Sequence, residues 1–295
     1  MQSSYQPEKP IEETINELLE RAKQAYQLNK YDLGLKYAYQ ALEIDPGFPA
    51  AHLMVGHCLW GKGEANASFE VFTKLIALHP EFPEAWLMRG NLILYEAQNP
   101  KEAILCYQKV LEFQPDHNVA LFYYAEAQYS LGHLDQAEKL VRQALQANPE
   151  QEGSLRLLGK IEAKRGNHDQ AKQCFLQALQ HNPENLDNIF SYGRYLLVDR
   201  NLPEEAYPLL REAMRLDPNN KVVQEHFYIV LKAKKRFFRW YWSYQLWKSK
   251  LGFFGFLLFV AIFTVGHITG LFFLFIVIWI ADWIFSYCIR RGWIF

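Results

Sequence analysis

Residues 86–115 read WLMRGNLILYEAQNPKEAILCYQKVLEFQP. Two small residues, Gly90 and Ala103, sit among large apolar ones, and Pro115 closes the stretch. Proline has no amide hydrogen and clashes with the preceding helical turn, so Pro115 marks a helix boundary. The same ending recurs along the chain. ALEIDP, LIALHP, VLEFQP, ALQANP, ALQHNP and AMRLDP close on Pro46, Pro80, Pro115, Pro149, Pro183 and Pro218, at spacings of 34, 35, 34, 34 and 35 residues.

Other positions keep this register. Ala22, Gly56, Gly90, Ala125, Gly159 and Gly193 form one small-residue series, and Gly34, Ser68, Ala103, Ala137, Ala171 and Ala206 form a second. A third runs through Ala41, Leu75, Val110, Ala144, Ala178 and Ala213, with larger residues in two units. Small side chains let two helices approach closely, so each unit reads as a pair of antiparallel helices. A fixed period of this length marks a repeat array in which each unit packs only on its neighbours.

The chain here resembles the tetratricopeptide repeat family. The third unit carries Trp86, Gly90, Ala103, Tyr107 and Pro115 at the family's signature positions, and the fifth carries Leu155, Gly159, Ala171, Phe175, Ala178 and Pro183. The resemblance covers roughly residues 15–220. It implies an all-α, right-handed superhelix of about six helix-turn-helix repeats with a concave groove. The third and sixth units have one extra residue between their small positions, Gly90 to Ala103 and Gly193 to Ala206, which is expected to lengthen their inner turns. The first unit departs most, with Arg21 and Ala25 where large apolar residues are usual.

In the family, the first helix of each unit lines the groove. Mapped onto this sequence, that face offers His57, Trp60, Asn91, Tyr95, Phe122, Glu126 and Tyr129, then Arg156, Lys160, Lys164 and Arg194. Arg156, Lys160 and Lys164 are four apart and share one helical stripe. One reading is a protein or peptide groove with an aromatic and a cationic part, the latter meeting an acidic stretch or a C-terminal carboxylate. The other is that the rings pack between repeats and the stripe is a solvated face. Some members clamp carboxylate tails with Lys and Asn. Lys160 falls where such a clamp places a base, but Arg194 falls where it would want Asn, so the match is partial.

The C-terminal region has a different character. The chain's formal net charge is −1, yet from residue 231 onward there are nine Lys or Arg and one acid. Residues 232–250, KAKKRFFRWYWSYQLWKSK, hold seven bases and seven aromatic rings. The next 39 residues, 251–289, contain no Lys or Arg and one acid, Asp282. A hydrocarbon core about 30 Å thick takes roughly 20 helical residues, so two crossings fit this length and one does not. The expected break is at 265–270, VGHITG. Lys and Arg are retained on the cytoplasmic side, which places both chain ends there. Lys234, Lys235, Arg236, Arg239, Trp240, Trp242 and Trp247 on one flank, with Arg290 and Arg291 on the other, are the expected membrane-interface residues, and the bases would attract anionic lipid. The alternatives are a buried soluble helical hairpin for 251–289 and a nucleic-acid patch for the basic run. Both are set aside, because little chain remains to cover so apolar a hairpin and because the basic run abuts it. No nucleic-acid partner is therefore expected.

The expected organisation is an N-terminal tail over 1–14, repeats over 15–220, a capping and basic-aromatic juxtamembrane helix over 221–250, a two-helix transmembrane hairpin over 251–289, and a cytoplasmic tail over 290–295. The start, MQSSYQPEKPIEETINELLERAK, has no apolar core and does not read as a secretory signal. The localisation expected is integral membrane, in a bacterial inner membrane, with the repeats cytoplasmic. The four cysteines, Cys58, Cys106, Cys174 and Cys288, lack metal-ligand spacing. There is no nucleophile elbow or phosphate loop, and adjacent His57 and Cys58 point about 100° apart on a helix, poor geometry for a dyad. No enzyme activity, metal or cofactor is expected. Two functions compete: a membrane-tethered adaptor whose groove holds a partner, and a subunit or assembly factor of an integral membrane complex that meets its partner, or another copy, through the hairpin.

Overall fold

The structure is a computed structural model and describes residues 11–234. Thirteen α-helices and no strand are present among the described residues. Five hairpins come first: α1 (Ile11–Gln27) with α2 (Tyr31–Ile44), α3 (Pro49–Gly61) with α4 (Ala65–Leu78), α5 (Pro83–Tyr95) with α6 (Pro100–Phe113), α7 (Asn118–Ser130) with α8 (Leu134–Ala147), and α9 (Glu152–Arg165) with α10 (His168–His181). α11 (Leu186–Arg194), a π-helical stretch (Tyr195–Asp199), α12 (Pro203–Leu216) and α13 (Lys221–Lys234) follow.

The periodic prolines end the second helices. Each lies one residue past the cap, and the cap preceding it is driven out of the helical region: Asp45, His79, Gln114, Asn148, Asn182 and Asp217 have φ between −133° and −145°. That is the steric effect of proline on the residue before it. The inner turns use a second device. Asn29, Gly63, Gln98, Gly132 and Gly166 have φ between +51° and +83°, one per hairpin, and Asn201, before α12, has φ +54°. A left-handed residue is what reverses a chain at a helix C-terminus, and glycine and asparagine reach that conformation most readily.

The two inserted residues are absorbed differently. In the third hairpin the connection grows to residues 96–99, as expected, and Asn99 caps α6 by accepting from the Glu102 amide at 3.3 Å and donating to its carboxylate at 3.2 Å. In the sixth unit the segment between the π-helical stretch and α12, residues 200–202, does not lengthen. The extra residue widens the end of the first helix into the π-helical stretch, the usual form of a single insertion within a helix.

Two compact units divide between Tyr195 and Leu196. In the first, each hairpin packs internally and each second helix packs on the next first helix. The small series at the middle of the first helices receives rings from the second. A Cβ on Gly56 would lie 2.4 Å from the Phe72 ring, one on Gly90 2.7 Å from Tyr107, and one on Gly159 3.1 Å from Phe175. All three rings are at most 2% exposed. In the second unit α12 packs on α13, with Leu210 and Val230 buried and Tyr207 stacked on Phe227 at 6.0 Å.

A charged network ties α8 to α9. Arg165 pairs with Asp135 and Glu138, and Arg142 reaches Glu138 at 2.7 Å and the buried Glu162 at 3.6 Å. Hydrogen bonding from Arg142, then from Arg165, holds the Glu138 carboxyl below its ordinary value of 4.5. A carboxylate depressed in the folded state stabilises the fold above its unfolded value, and that contribution is lost as pH falls through the folded value. The denaturation midpoint is therefore expected to fall between about pH 5 and pH 3 more steeply in the native chain than in Glu138→Gln, as urea titrations would show. Parallel pH profiles would remove Glu138 as a source of the acid sensitivity.

Candidate peptide-binding groove

The eleven residues mapped to a groove lie on α3, α5, α7, α9 and α11, the first helices of successive repeats. α5 contacts α7, α7 contacts α9, and α9 contacts α11. Side chains reach across these junctions in a series of links. Trp60 Nε1 donates to Glu96 Oε1 at 2.8 Å, and the Tyr95 hydroxyl donates to Glu126. Lys164 Nζ stands 4.1 Å over the Tyr129 ring. Arg156 donates to Asn188 Oδ1 at 3.1 Å, with Asp187 3.8 Å away. Every link joins neighbouring repeats, so these mapped side chains brace the stack.

Three more of the mapped residues serve packing. The His57 ring lies between Tyr26, at 5.9 Å, and Phe72, at 6.1 Å, and burial lowers its pKa. Asn91 is 3% exposed and accepts from the Tyr107 hydroxyl at 3.0 Å. Phe122 is buried against Tyr123, and a Cβ on Gly153 would come within 3.2 Å of its ring. Tyr95 is exposed along part of its ring, and burial of its hydroxyl, then Glu126, pushes its pKa up.

Lys160 and Arg194 differ from the rest. Both are half-buried, and neither makes a hydrogen bond or ion pair among the described residues. Burial lowers the Lys160 pKa, Arg156 and Arg194 lower it further, and Glu126 and Asp187 oppose them. Lys160 follows Arg156 by one helical turn. Arg194 follows Asp187, the partner of Arg156, by two turns, about 10 Å along α11. The cationic end of the row therefore presents two uncompensated cations beside a third that is held in place.

The mapping passed over Glu96, Asp187 and Asn188, which hold Trp60 and Arg156. Asp187 stands at the second position of its helix, one of the positions that face a ligand in the family, so its signal was in the sequence. Asn188 is one residue off that stripe, and only packing reveals its role. Among the described residues no cluster of His, Cys, Asp or Glu could hold a metal ion. Cys58, Cys106 and Cys174 are buried free thiols, and burial pushes Cys58 up to about 11, far from a reactive thiolate. What this face offers is charge, hydrogen bonding and aromatic surface, which is equipment for binding.

Fold and motif agree on the class of protein. Tetratricopeptide repeat models match residues 94–161 and 153–185. Over 104 residues the chain is 35% identical to pre-mRNA-splicing factor 6 of Saccharomyces cerevisiae; the match takes in 34% of this chain and 11% of that protein's length. A thermophilic tetratricopeptide protein from Thermus thermophilus superposes with TM-score 0.56 at 21% identity, over 62% of this chain and all of that one. The APC/C hetero-tetramer Cut9–Hcn1 gives 0.64 at 16% identity, over 75% and 46%. The family models and the solved structures thus both support an array of tetratricopeptide repeats, a fold that generally mediates protein–protein interaction.

The membrane expectations fall elsewhere in the chain. Lys234 ends α13. Lys235, Arg236, Arg239, Trp240, Trp242, Trp247, Asp282, Arg290 and Arg291, with the hairpin over 251–289, lie outside the described residues. Among the described residues no helix is long and apolar enough to cross a membrane.

Proposed function

We propose that the protein is a membrane-tethered adaptor. The row of first helices grips a segment of a partner polypeptide on the cytoplasmic side, and the apolar C-terminal stretch holds the complex at the bilayer. The observation that carries the groove is the uncompensated pair Lys160 and Arg194, since half-buried charges without partners favour an anionic ligand that supplies them. The observation behind the tether is the 39-residue stretch without a Lys or Arg, flanked by basic residues. Holding two proteins on one surface raises their effective concentration without any new contact.

A photo-crosslinking residue at Tyr95 or Lys164 in the full chain, in native membranes, tests the groove. Adducts of one mass are expected from both positions and none from Leu105, which is exposed on α6. Adducts from Leu105 alone, or from none of the three, would overturn the groove reading. Alkaline extraction tests the tether: the chain is expected to stay with the lipid, and its release would refute membrane insertion.

The second reading, a subunit or assembly factor of an integral membrane complex, is favoured by one feature. Trp279, Asp282 and Trp283 cluster in the second expected crossing, where an acid is costly unless it meets a partner. Exchanging 251–289 for an unrelated hairpin keeps the groove adducts under the first reading and abolishes function under the second.

A further inference from the structure

Arg156, Lys160 and Arg194 bring three separate cationic groups to one end of the row. They are not equivalent. Arg156 is fixed on α11 by Asn188 and Asp187, whereas Lys160 and Arg194 have donors to spare. The acids nearby do not neutralise them. Glu126 is engaged by the Tyr95 hydroxyl, and Asp187 is 71% exposed and turned to Arg156. Lys164, one turn beyond Lys160, is held over Tyr129 and adds positive charge at the rim. A planar carboxylate offers two oxygens and one charge. A phosphate monoester offers three terminal oxygens and nearly two charges at neutral pH. Three donor groups arriving from two helices match the second ligand better than the first.

We propose that this end of the groove receives a phosphorylated side chain of the partner, with Lys160 and Arg194 donating to its free oxygens and Arg156 completing the charge. The proposal rests on the groove reading and adds to it the chemistry of the bound segment. Binding is then switchable, because the same segment without its phosphate leaves Lys160 and Arg194 unpaired. A lipid phosphodiester is the lesser fit, having one charge and two free oxygens.

Equilibrium dialysis of the full chain in detergent, at fixed ionic strength, tests it with three probes: N-acetyl-phosphoserine methylamide, N-acetyl-glutamate methylamide and dimethyl phosphate. The phosphoserine probe is expected to bind about tenfold more tightly than the other two, and Lys160→Gln and Arg194→Gln are each expected to cost about tenfold, the loss of one charge-assisted hydrogen bond. Its affinity should also rise as pH passes about 6, where the phosphate takes its second charge, while the glutamate probe shows no such step. Neither side chain holds another in place, so both variants should fold, as circular dichroism would check. Equal affinity for glutamate or dimethyl phosphate, no step near pH 6, or unchanged binding in both variants overturns the proposal. Crosslinking from Tyr95 and Lys164 decides the groove separately, so the two failures are distinguishable.

Discussion

Phe72→Ala is expected to cost about 3–5 kcal/mol, as a fully buried ring does when truncated, and the cost should be local. Phe72 is 0% exposed, lies edge-on to His57 at 6.1 Å, and fills the space above Gly56. In a repeat array each hairpin touches only its neighbours, so a cavity between α3 and α4 loosens those helices first. Native-state hydrogen exchange should show faster amides in α3 and α4, with α9 and α10 nearly unchanged. A loss below about 1 kcal/mol would mean that the ring fills no well-packed space. A companion experiment fixes the partner. Gly56→Ala alone should cost about 1–3 kcal/mol through overpacking, because its Cβ would come within 2.4 Å of the ring, whereas in the Phe72→Ala background it should be neutral or restoring. The sequence itself contains such combinations. Ala22 stands with Ala38 in one core cluster, and Ala125 with Val141 in another.

Asn188→Leu is expected to cost about 2–4 kcal/mol, the loss of three side-chain hydrogen bonds at a buried site. Asn188 is 1% exposed. It donates to the Ala178 carbonyl at 3.0 Å and the Asn182 carbonyl at 3.3 Å, closing the end of α10, and accepts from Arg156 at 3.1 Å. Leucine keeps the volume and removes every one of these bonds. Arg156→Leu breaks only the last, so it should be milder. Urea midpoints of the two variants provide the comparison, and an Asn188→Leu midpoint matching the native chain would show that these bonds contribute no stability. The same substitution removes one of the two groups that hold Arg156 and leaves Asp187, so phosphoserine binding should weaken even though Lys160 and Arg194 are intact.

Much of this architecture was legible from single residues. The prolines gave the ends of α2, α4, α6, α8, α10 and α12, because the steric effect of proline acts on its immediate neighbour. Gly90 and Gly159 read correctly as small positions where helices approach, while the rings that face them, Tyr107 and Phe175, are seen only in the structure. The π-helical stretch after Arg194 was not legible. An inserted residue can lengthen a turn or widen a helix, and the choice depends on the packing around it. Residues 96–99 took the first course and Tyr195–Asp199 the second. The groove was legible only in part. The candidate positions were mapped from the register, and Trp60, Tyr95, Arg156 and Lys164 all looked equally available to a ligand.

By itself, the sequence determined the helix boundaries, the register of the repeats and the small positions where helices meet. These follow from sterics acting within a few residues. Only the tertiary structure decided which groove side chains are occupied. Their partners lie 31 to 36 residues away, on the next repeat, so Glu96 claims Trp60, Glu126 claims Tyr95 and Asn188 claims Arg156 once the hairpins stack. Lys160 and Arg194 are left over by that stacking, and no local feature of the chain distinguishes them from the cations that are already paired.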